Sequence, residues 1–187
     1  MAGKKIIALI GMAGSGKTEA ITYLQKRFKW PKIYFGAVTF ERLNDQGLDV
    51  NWVNEKIMRE QIRKELGLGA YAILSLPKID DELRHNRVVL IESLYSWQEY
   101  RILKEEYGDK FLTIAIYASP ATRFQRLKIR KERPMKVYEE FKDRDYTEIE
   151  NIAKGGPIAM ADFTVINEGD QASLKRQLGA IIRKIKF

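Results

Sequence analysis

Five short apolar runs, each followed by a longer amphipathic or polar stretch, set the rhythm of the 187-residue chain. KKIIALIG near the N-terminus carries β-branched residues and stops at a glycine, the pattern of a short buried strand. Residues Lys17 to Phe28 place Ala20, Ile21, Leu24 and Phe28 on one helical face, and Trp30-Pro31 ends that helix. A second strand is predicted over Lys32 to Phe35, and RVVLI, Arg87 to Ile91, reads as a buried third. FLTIAIY, Phe111 to Tyr117, is the fourth and Phe163 to Ile166 the fifth.

The stretches between them read as helical. Residues 38–85 form the longest such region, where Val53, Ile57, Ile62 and Leu66 follow helical spacing and Gly67 and Gly69 supply a stop. A further helix starts at Ala70 and is expected to break or end at Pro77. Ser96-Trp97-Gln98-Glu99 has the form of a capping box, and the helix behind it runs to Tyr107 and stops at Gly108. Ser119-Pro120 opens another, with serine as N-cap and proline at the first helical position. Basic, broken sequence fills 130–145, a polar helix reaches about Ala153, and Gly155-Gly156-Pro157 is expected to be a loop. The last helix puts Leu174, Leu178, Ile181, Ile182 and Ile185 on one stripe. Short apolar strands separated by helices predict a three-layer α/β architecture, a parallel sheet covered on both faces. Without repeat, linker or low-complexity tract, the expected organisation is one domain over 1–187 with insertions at 38–85 and 130–155.

Composition adds little to that outline. Hydrophobic residues make up 45% and charged residues 31%, a soluble globular profile. There is no cysteine, which excludes disulfides and thiolate metal sites. The one histidine, His85, stands in RHNR and reads as a turn or helix-end residue. The apolar run Ile6 to Ile10 is too short for a signal peptide or a membrane span, so a cytoplasmic protein without membrane association is expected. Net charge is +8, from 33 basic and 25 acidic residues, which suits anionic partners or an ordinary solvated surface equally.

Gly11-Met12-Ala13-Gly14-Ser15-Gly16-Lys17-Thr18 changes the picture, because it matches G-x-x-x-x-G-K-[ST] between a strand and a helix. Glycines let successive amides point into one concavity, and the following helix adds free N–H groups and a positive dipole end. Gly11, Ala13, Gly14, Ser15, Gly16, Lys17, Thr18 and Glu19 are the expected phosphate-binding set. Lys17 would bridge the β- and γ-phosphates and the Thr18 hydroxyl would hold Mg²⁺. N-K-x-D is absent and no D-x-x-G follows a strand, so ATP is the expected nucleotide over GTP. Glu92, at the end of the third strand, is placed to hold the metal or its waters, or to act as a base on an acceptor. ATRFQRLKIRKERPMK, 121–136, carries seven basic residues and one acid. On a helix, Arg123, Arg126, Arg130 and Arg133 recur near one face while Phe124 and Leu127 pack inward. Arg130, and Arg144 in Asp143-Arg144-Asp145, are the candidates for meeting charge on a transferring phosphoryl group, with the flanking acids orienting Arg144. Arg59 and Arg63 are candidates for holding an acceptor's phosphate.

GMAGSGKT, VVLIES, RFQRLKIRKERP and the later DRD together resemble the nucleoside monophosphate kinase-like P-loop family. EEYGDKFLTIAIYASPATRFQRL and IAMADFTVINEG look especially like the prokaryotic members related to dephospho-coenzyme A kinase and adenylate kinase. The resemblance spans nearly the whole chain and implies a five-stranded sheet in the order 2-3-1-4-5. It also implies an acceptor-binding insertion near 38–85, a mobile lid near 130–145, and Asn167-Glu168-Gly169 lying against adenine with Arg126 stacked on the base. Three positions depart from the family: Ala37 in IYFGAVTF stands where a carboxylate is expected, Glu92-Ser93 replaces Asp-Gly, and FERLNDQGLDVN lacks the fuller arginine set of adenylate kinases. Two functions fit. One is an ATP- and Mg²⁺-dependent kinase acting on a small phosphorylated acceptor, a nucleoside monophosphate or dephospho-coenzyme A-like molecule. The other is an ATP-operated binding or assembly protein acting on RNA or a ribonucleoprotein.

Overall fold

Runs such as IIALI and VVLI can be buried on both faces and become central strands of one parallel sheet, while Lys32–Tyr34 and Phe163–Ile166 form its partly exposed edges. A computed structural model describes residues 3–187. The sheet consists of β1 (Lys5–Ile10), β2 (Lys32–Tyr34), β3 (Val88–Glu92), β4 (Phe111–Tyr117) and β5 (Phe163–Ile166), in the order β2-β3-β1-β4-β5. This is the order implied by the resemblance. Register is fixed around the central strand, where Ile7 lies beside Leu90 of β3 and Leu112 of β4, and Leu9 beside Glu92 and Ile114.

Side-chain alternation divides the core in two. Ile7, Leu9, Leu90, Ile114 and Val165 meet α1 (Lys17–Phe28) and α9 (Gln171–Lys184) through Ile21, Leu24, Leu178 and Ile182. Ile6, Ala8, Val89, Ile91 and Phe111 face the opposite layer. That layer holds α2 (Ala37–Asp45), α3 (Trp52–Leu66), α4 (Ala70–His85) and α5 (Trp97–Tyr107). The capping box of α5 is formed, with Ser96 Oγ accepting from Glu99 N at 3.0 Å and Glu99 Oε2 accepting from Ser96 N at 3.0 Å. His85 is the exposed last residue of α4. The chain is completed by α6 (Pro120–Lys128), α7 (Tyr138–Ile152) and α8 (Gly155–Ala159). Among the described residues no helix is long and apolar enough to cross a membrane.

Five local expectations fail. In α3 the buried stripe is Glu55, Met58 and Ile62, while Val53 and Ile57 lie roughly half a turn away, 55% and 56% exposed. Pro77 does not end α4: the helix continues because Tyr71, Ser75, Ile79 and Leu83 bury one continuous stripe, which outweighs the missing proline N–H. Gly155-Gly156-Pro157 is the first turn of α8 and not a loop, with Gly156 pressed against the Trp97 ring. Finally, α7 begins at Tyr138, so the irregular lid segment covers only 129–137 and Arg144 stands on a helix. The arginine face expected over 123–133 is broken likewise, since α6 stops at Lys128.

Candidate phosphate-binding and phosphotransfer site

The phosphate loop leaves the C-terminal end of β1 and turns into α1. Its geometry requires glycine at three places. Gly11, Gly14 and Gly16 have φ of 145°, 78° and 102°. A Cβ there would stand 2.4 Å from the Ile116 carbonyl oxygen, 2.7 Å from that of Arg123 and 2.3 Å from Asn167 Nδ2. The loop is therefore wedged between β4, α6 and the segment after β5. Asn167 is buried and donates to the Ser15 carbonyl at 2.7 Å, so its side chain holds the loop's shape instead of standing free for a base. Ser15 Oγ is buried without a protein partner, an orphan polar atom that a phosphate group fits.

Lys17 is half-buried and folds back, its Nζ donating to the Gly11 and Met12 carbonyls at 2.8 and 2.9 Å. Burial first, and then the charge of Lys154, bring its pKa down to about 7. Thr18 and Glu19 are exposed at the start of α1, with Glu19 accepting a long 3.4 Å bond from Gln171. Arg126 donates to the Gly169 carbonyl at 3.2 Å, and its other terminal nitrogen, Nη1, is buried without a partner. That places Arg126 beside the Asn167-Glu168-Gly169 segment.

Arg123, expected on a basic surface, is instead the hub behind the loop. It is buried and makes a two-pronged pair with Asp145 of α7 at 3.0 and 2.6 Å. It also donates to the Ala13 and Ala118 carbonyls at 3.2 Å each and lies 4.9 Å from the Phe141 ring centre. One guanidinium thus joins the phosphate loop, α6 and α7. Asp145 is committed to Arg123 and Asp143 is exposed, so the flanking acids do not orient Arg144. Glu148 does that, one turn along α7, accepting from Arg144 Nε at 3.1 Å.

Glu148 also accepts from Lys154 Nζ at 2.5 Å. Lys154 is only 4% exposed and rests 4.2 Å from the Tyr95 ring centre. Burial works to raise the Glu148 carboxyl, but Lys154 and then Arg144 outweigh it and the net shift is downward. Lys154 is itself pushed down by burial, against the pull of Glu148. Sequence reasoning missed Glu148 and Lys154, and it missed that Arg123 and Asp145 pair with each other. The spacing of Arg144 and Glu148 carried a signal, while Lys154 approaches only through the turn into α8.

Beyond this cluster lies a cavity of about 1030 Å³. Arg59, Arg63 and Lys64 of α3 line one wall, and Arg130, Arg133, Arg144 and Glu148 line the other. Tyr34, Thr39, Tyr71, Ser93 and Tyr95 are among the remaining lining residues. Arg59 pairs with the buried Glu55 at 3.2 Å. Arg133 reaches across from the lid segment to the same carboxylate at 3.4 Å. Arg63 lies 5.5 Å from the Tyr71 ring centre and its buried Nε has no protein partner. Arg130 is exposed and turns onto backbone carbonyls of Glu132 and Arg133. Ala37 opens α2 and lines a neighbouring hollow beside β2 and Pro77, which shares Tyr34 with this cavity.

Glu92 ends β3 beside Leu9, and its carboxylate is held by Lys32 Nζ at 2.6 Å. Among the described residues no three acids or histidines cluster to hold a metal alone. Ser93 follows with φ 71°, a left-handed conformation that suits glycine better, and its Oγ lies 2.9 Å from Tyr95 Oη.

Comparison with known proteins agrees with this geometry. A family model described as an AAA domain matches residues 7–147. Solved structures share the fold at low identity. A shikimate kinase from Bacteroides thetaiotaomicron superposes with a TM-score of 0.64 at 16% identity, over 98% of this chain and 99% of its own. A gluconokinase from Sinorhizobium meliloti gives 0.61 at 16%, over 99% and 94%. The fold is thus that of the P-loop kinases. Relatives in sequence extend over the full length. A UPF0200 protein of Pyrococcus furiosus is 35% identical, covering 96% of this chain and 97% of its own. Another, of Pyrococcus abyssi, is 33% identical over 97% of both. Similarity of that extent, together with the phosphate loop that anchors the AAA domain match, shows that the chain belongs to the UPF0200 family.

Proposed function

We propose that this protein is an ATP-dependent phosphotransferase that moves the γ-phosphoryl group to a small anionic acceptor, a nucleoside monophosphate or dephospho-coenzyme A-like molecule. One observation carries the reading: the cavity of about 1030 Å³ has arginines on both walls. A loop that served hydrolysis alone has no need of a second, arginine-lined chamber. The unpartnered Arg63 Nε favours an acceptor that brings its own negative charge, and Arg59 and Arg63 are the residues assigned to it.

In this reading the loop amides and Lys17 grip the ATP phosphates, with Arg126 and Asn167 at the base-side segment. Magnesium, when bound with the nucleotide, neutralises phosphate charge, and Thr18 and Glu92 are the residues that would hold it or its waters. An acceptor oxygen forms a bond to the γ-phosphorus as the bond to the β-bridging oxygen breaks, releasing ADP; a phosphate acceptor attacks already ionised, whereas a hydroxyl acceptor passes its proton to Glu92. Arg144 and Arg130 meet the charge that spreads over the transferring group, and Glu148 keeps Arg144 in place. The lid segment 129–137 closes on α3 through Arg133 and excludes water, which limits idle hydrolysis.

ADP formation measured with Mg²⁺-ATP, alone and with each member of a panel of nucleoside monophosphates and dephospho-coenzyme A, tests the proposal. Stimulation by one acceptor at least tenfold above the basal rate, with the phosphorylated acceptor recovered, is expected. Slow turnover unmoved by every acceptor refutes it.

A further inference from the structure

The chain's excess positive charge is not spread over its surface. Residues 20–30, which form most of α1 and the turn after it, contain Lys26, Arg27 and Lys29 and no acid. Residues 171–187, which form α9 and the C-terminal end, contain Lys175, Arg176, Arg183, Lys184 and Lys186 and again no acid. These eight cations equal the net charge of +8, and the 25 basic residues left elsewhere match the 25 acidic ones. All eight are exposed, and none joins an ion pair among the described residues.

The two segments form one surface. The helices pack side by side through Leu24, Leu178 and Ile182, and their ends meet where Trp30 lies 5.5 Å from Phe187. Trp30 also stacks on Phe28 at 4.4 Å, so this corner is braced. Both helices run from the phosphate-loop end of the sheet to the opposite edge. The acids beside them, Glu19 and Asp170, sit at the loop end. Lys26, Arg27, Arg183 and Lys184 complement the negative ends of the helix dipoles, but Lys29 and Lys186 lie beyond the helices and Lys175 and Arg176 well before the end of α9. Helix stabilisation therefore accounts for half the set.

We infer that the α1–α9 face is a docking surface for the phosphate backbone of a nucleic acid, RNA in the first instance. Lys175 to Lys184 extend about 13 Å along α9, enough to follow about four phosphates of one strand. A membrane surface shares the negative charge but suits this face less. Every large apolar side chain exposed on the molecule lies outside residues 17–30 and 171–187, so nothing here is placed to enter lipid. The inference does not rest on the phosphotransferase reading, because none of the eight cations is assigned a part in the nucleotide site or lines the acceptor cavity.

A fluorescent 20-nucleotide polyuridylate titrated with the full-length protein at 50 to 200 mM salt tests it. A log–log salt slope near −3 is expected, from about four phosphate contacts on a single strand. The variant Lys29→Glu/Lys175→Glu/Arg176→Glu/Lys186→Glu, at the four positions that helix stabilisation does not explain, should bind at least 30-fold more weakly with a shallower slope. The four-glutamine variant at the same positions, which avoids new acid–acid repulsion, should lose most of the affinity and keep the wild-type melting temperature and basal ATP turnover. No binding by the wild-type protein at 50 mM salt overturns the inference, as does unchanged affinity in a folded variant. Binding to phosphatidylserine vesicles without binding to RNA overturns it in favour of a membrane.

Discussion

Lys17 offers a measurable proton linkage. In the free protein its ammonium is half-buried, bonded to two loop carbonyls, and brought from 10.5 to about 7 by burial and by Lys154. Phosphates entering the loop supply the opposite charge and return the group toward its ordinary value. Between pH 7 and 10.5 the free protein has lost this proton while the nucleotide complex keeps it, so binding takes one up. Affinity then falls with rising pH, approaching tenfold per unit well above 7, or about 50-fold between pH 7 and 9 (about 2.3 kcal/mol). At pH 8, above the second phosphate ionisation near 6, the nucleotide contributes little of its own. Calorimetric titration of ADP at pH 8 in buffers of different ionisation enthalpy should report uptake of about 0.9 proton, the fraction of Lys17 expected to be neutral there. Lys17→Arg, which stays charged, should bind ADP with uptake near zero. Zero uptake by the wild-type protein, or equal uptake by Lys17→Arg, would falsify the assignment.

Other expectations follow from single contacts. Arg123→Met leaves the Asp145 carboxylate buried and unpaired, and should cost about 3–5 kcal/mol in urea unfolding. Arg123→Met/Asp145→Leu should recover much of that loss, and failure to recover any of it would argue against the pair. Glu99 is raised from 4.5 to about 7, chiefly by burial against the pull of the Ser96 and Tyr95 amides. The native state therefore holds an extra proton between those values, so the Glu99 contribution is complete below pH 4.5 and is lost as pH rises to about 7. In Glu99→Gln, whose carbonyl can accept from the same two amides, melting temperatures between pH 5 and 7.5 should lose that decline; an unchanged slope would assign it elsewhere. Gly16→Ala forces a Cβ to 2.3 Å from Asn167 Nδ2, and should abolish ADP binding in the same calorimeter. Near-normal affinity in that variant would show that the loop does not need its observed shape.

Much of the fold was legible in the chain because local rules and tertiary demands agree there. The runs that became β1, β3 and β4 are legible since a residue in the middle of a parallel sheet is covered whichever face it takes, and GMAGSGKT states its conformation because side chains cannot occupy Gly11, Gly14 or Gly16. The Ser96–Glu99 box is local chemistry and is found as written. What sequence could not settle is which way a charged or apolar side chain turns on a helix whose packing partners are distant in the chain. Arg123 and Arg126 look alike in RFQRL, yet Arg123 is buried because Asp145, 22 residues later, completes a pair behind the loop. Val53 and Ile57 look like core, but α3 turns Met58 and Ile62 inward and leaves its cation-bearing edge, with Arg59 and Arg63, on the cavity. Lys154 becomes a neighbour of Glu148 only through the turn between α7 and α8. By itself the sequence determined the phosphate loop and the layered sheet, since both follow from backbone sterics and apolar periodicity. Only the tertiary structure decided the acceptor chamber and its charges, since those are set by long-range pairing and by which helix faces compete for the core.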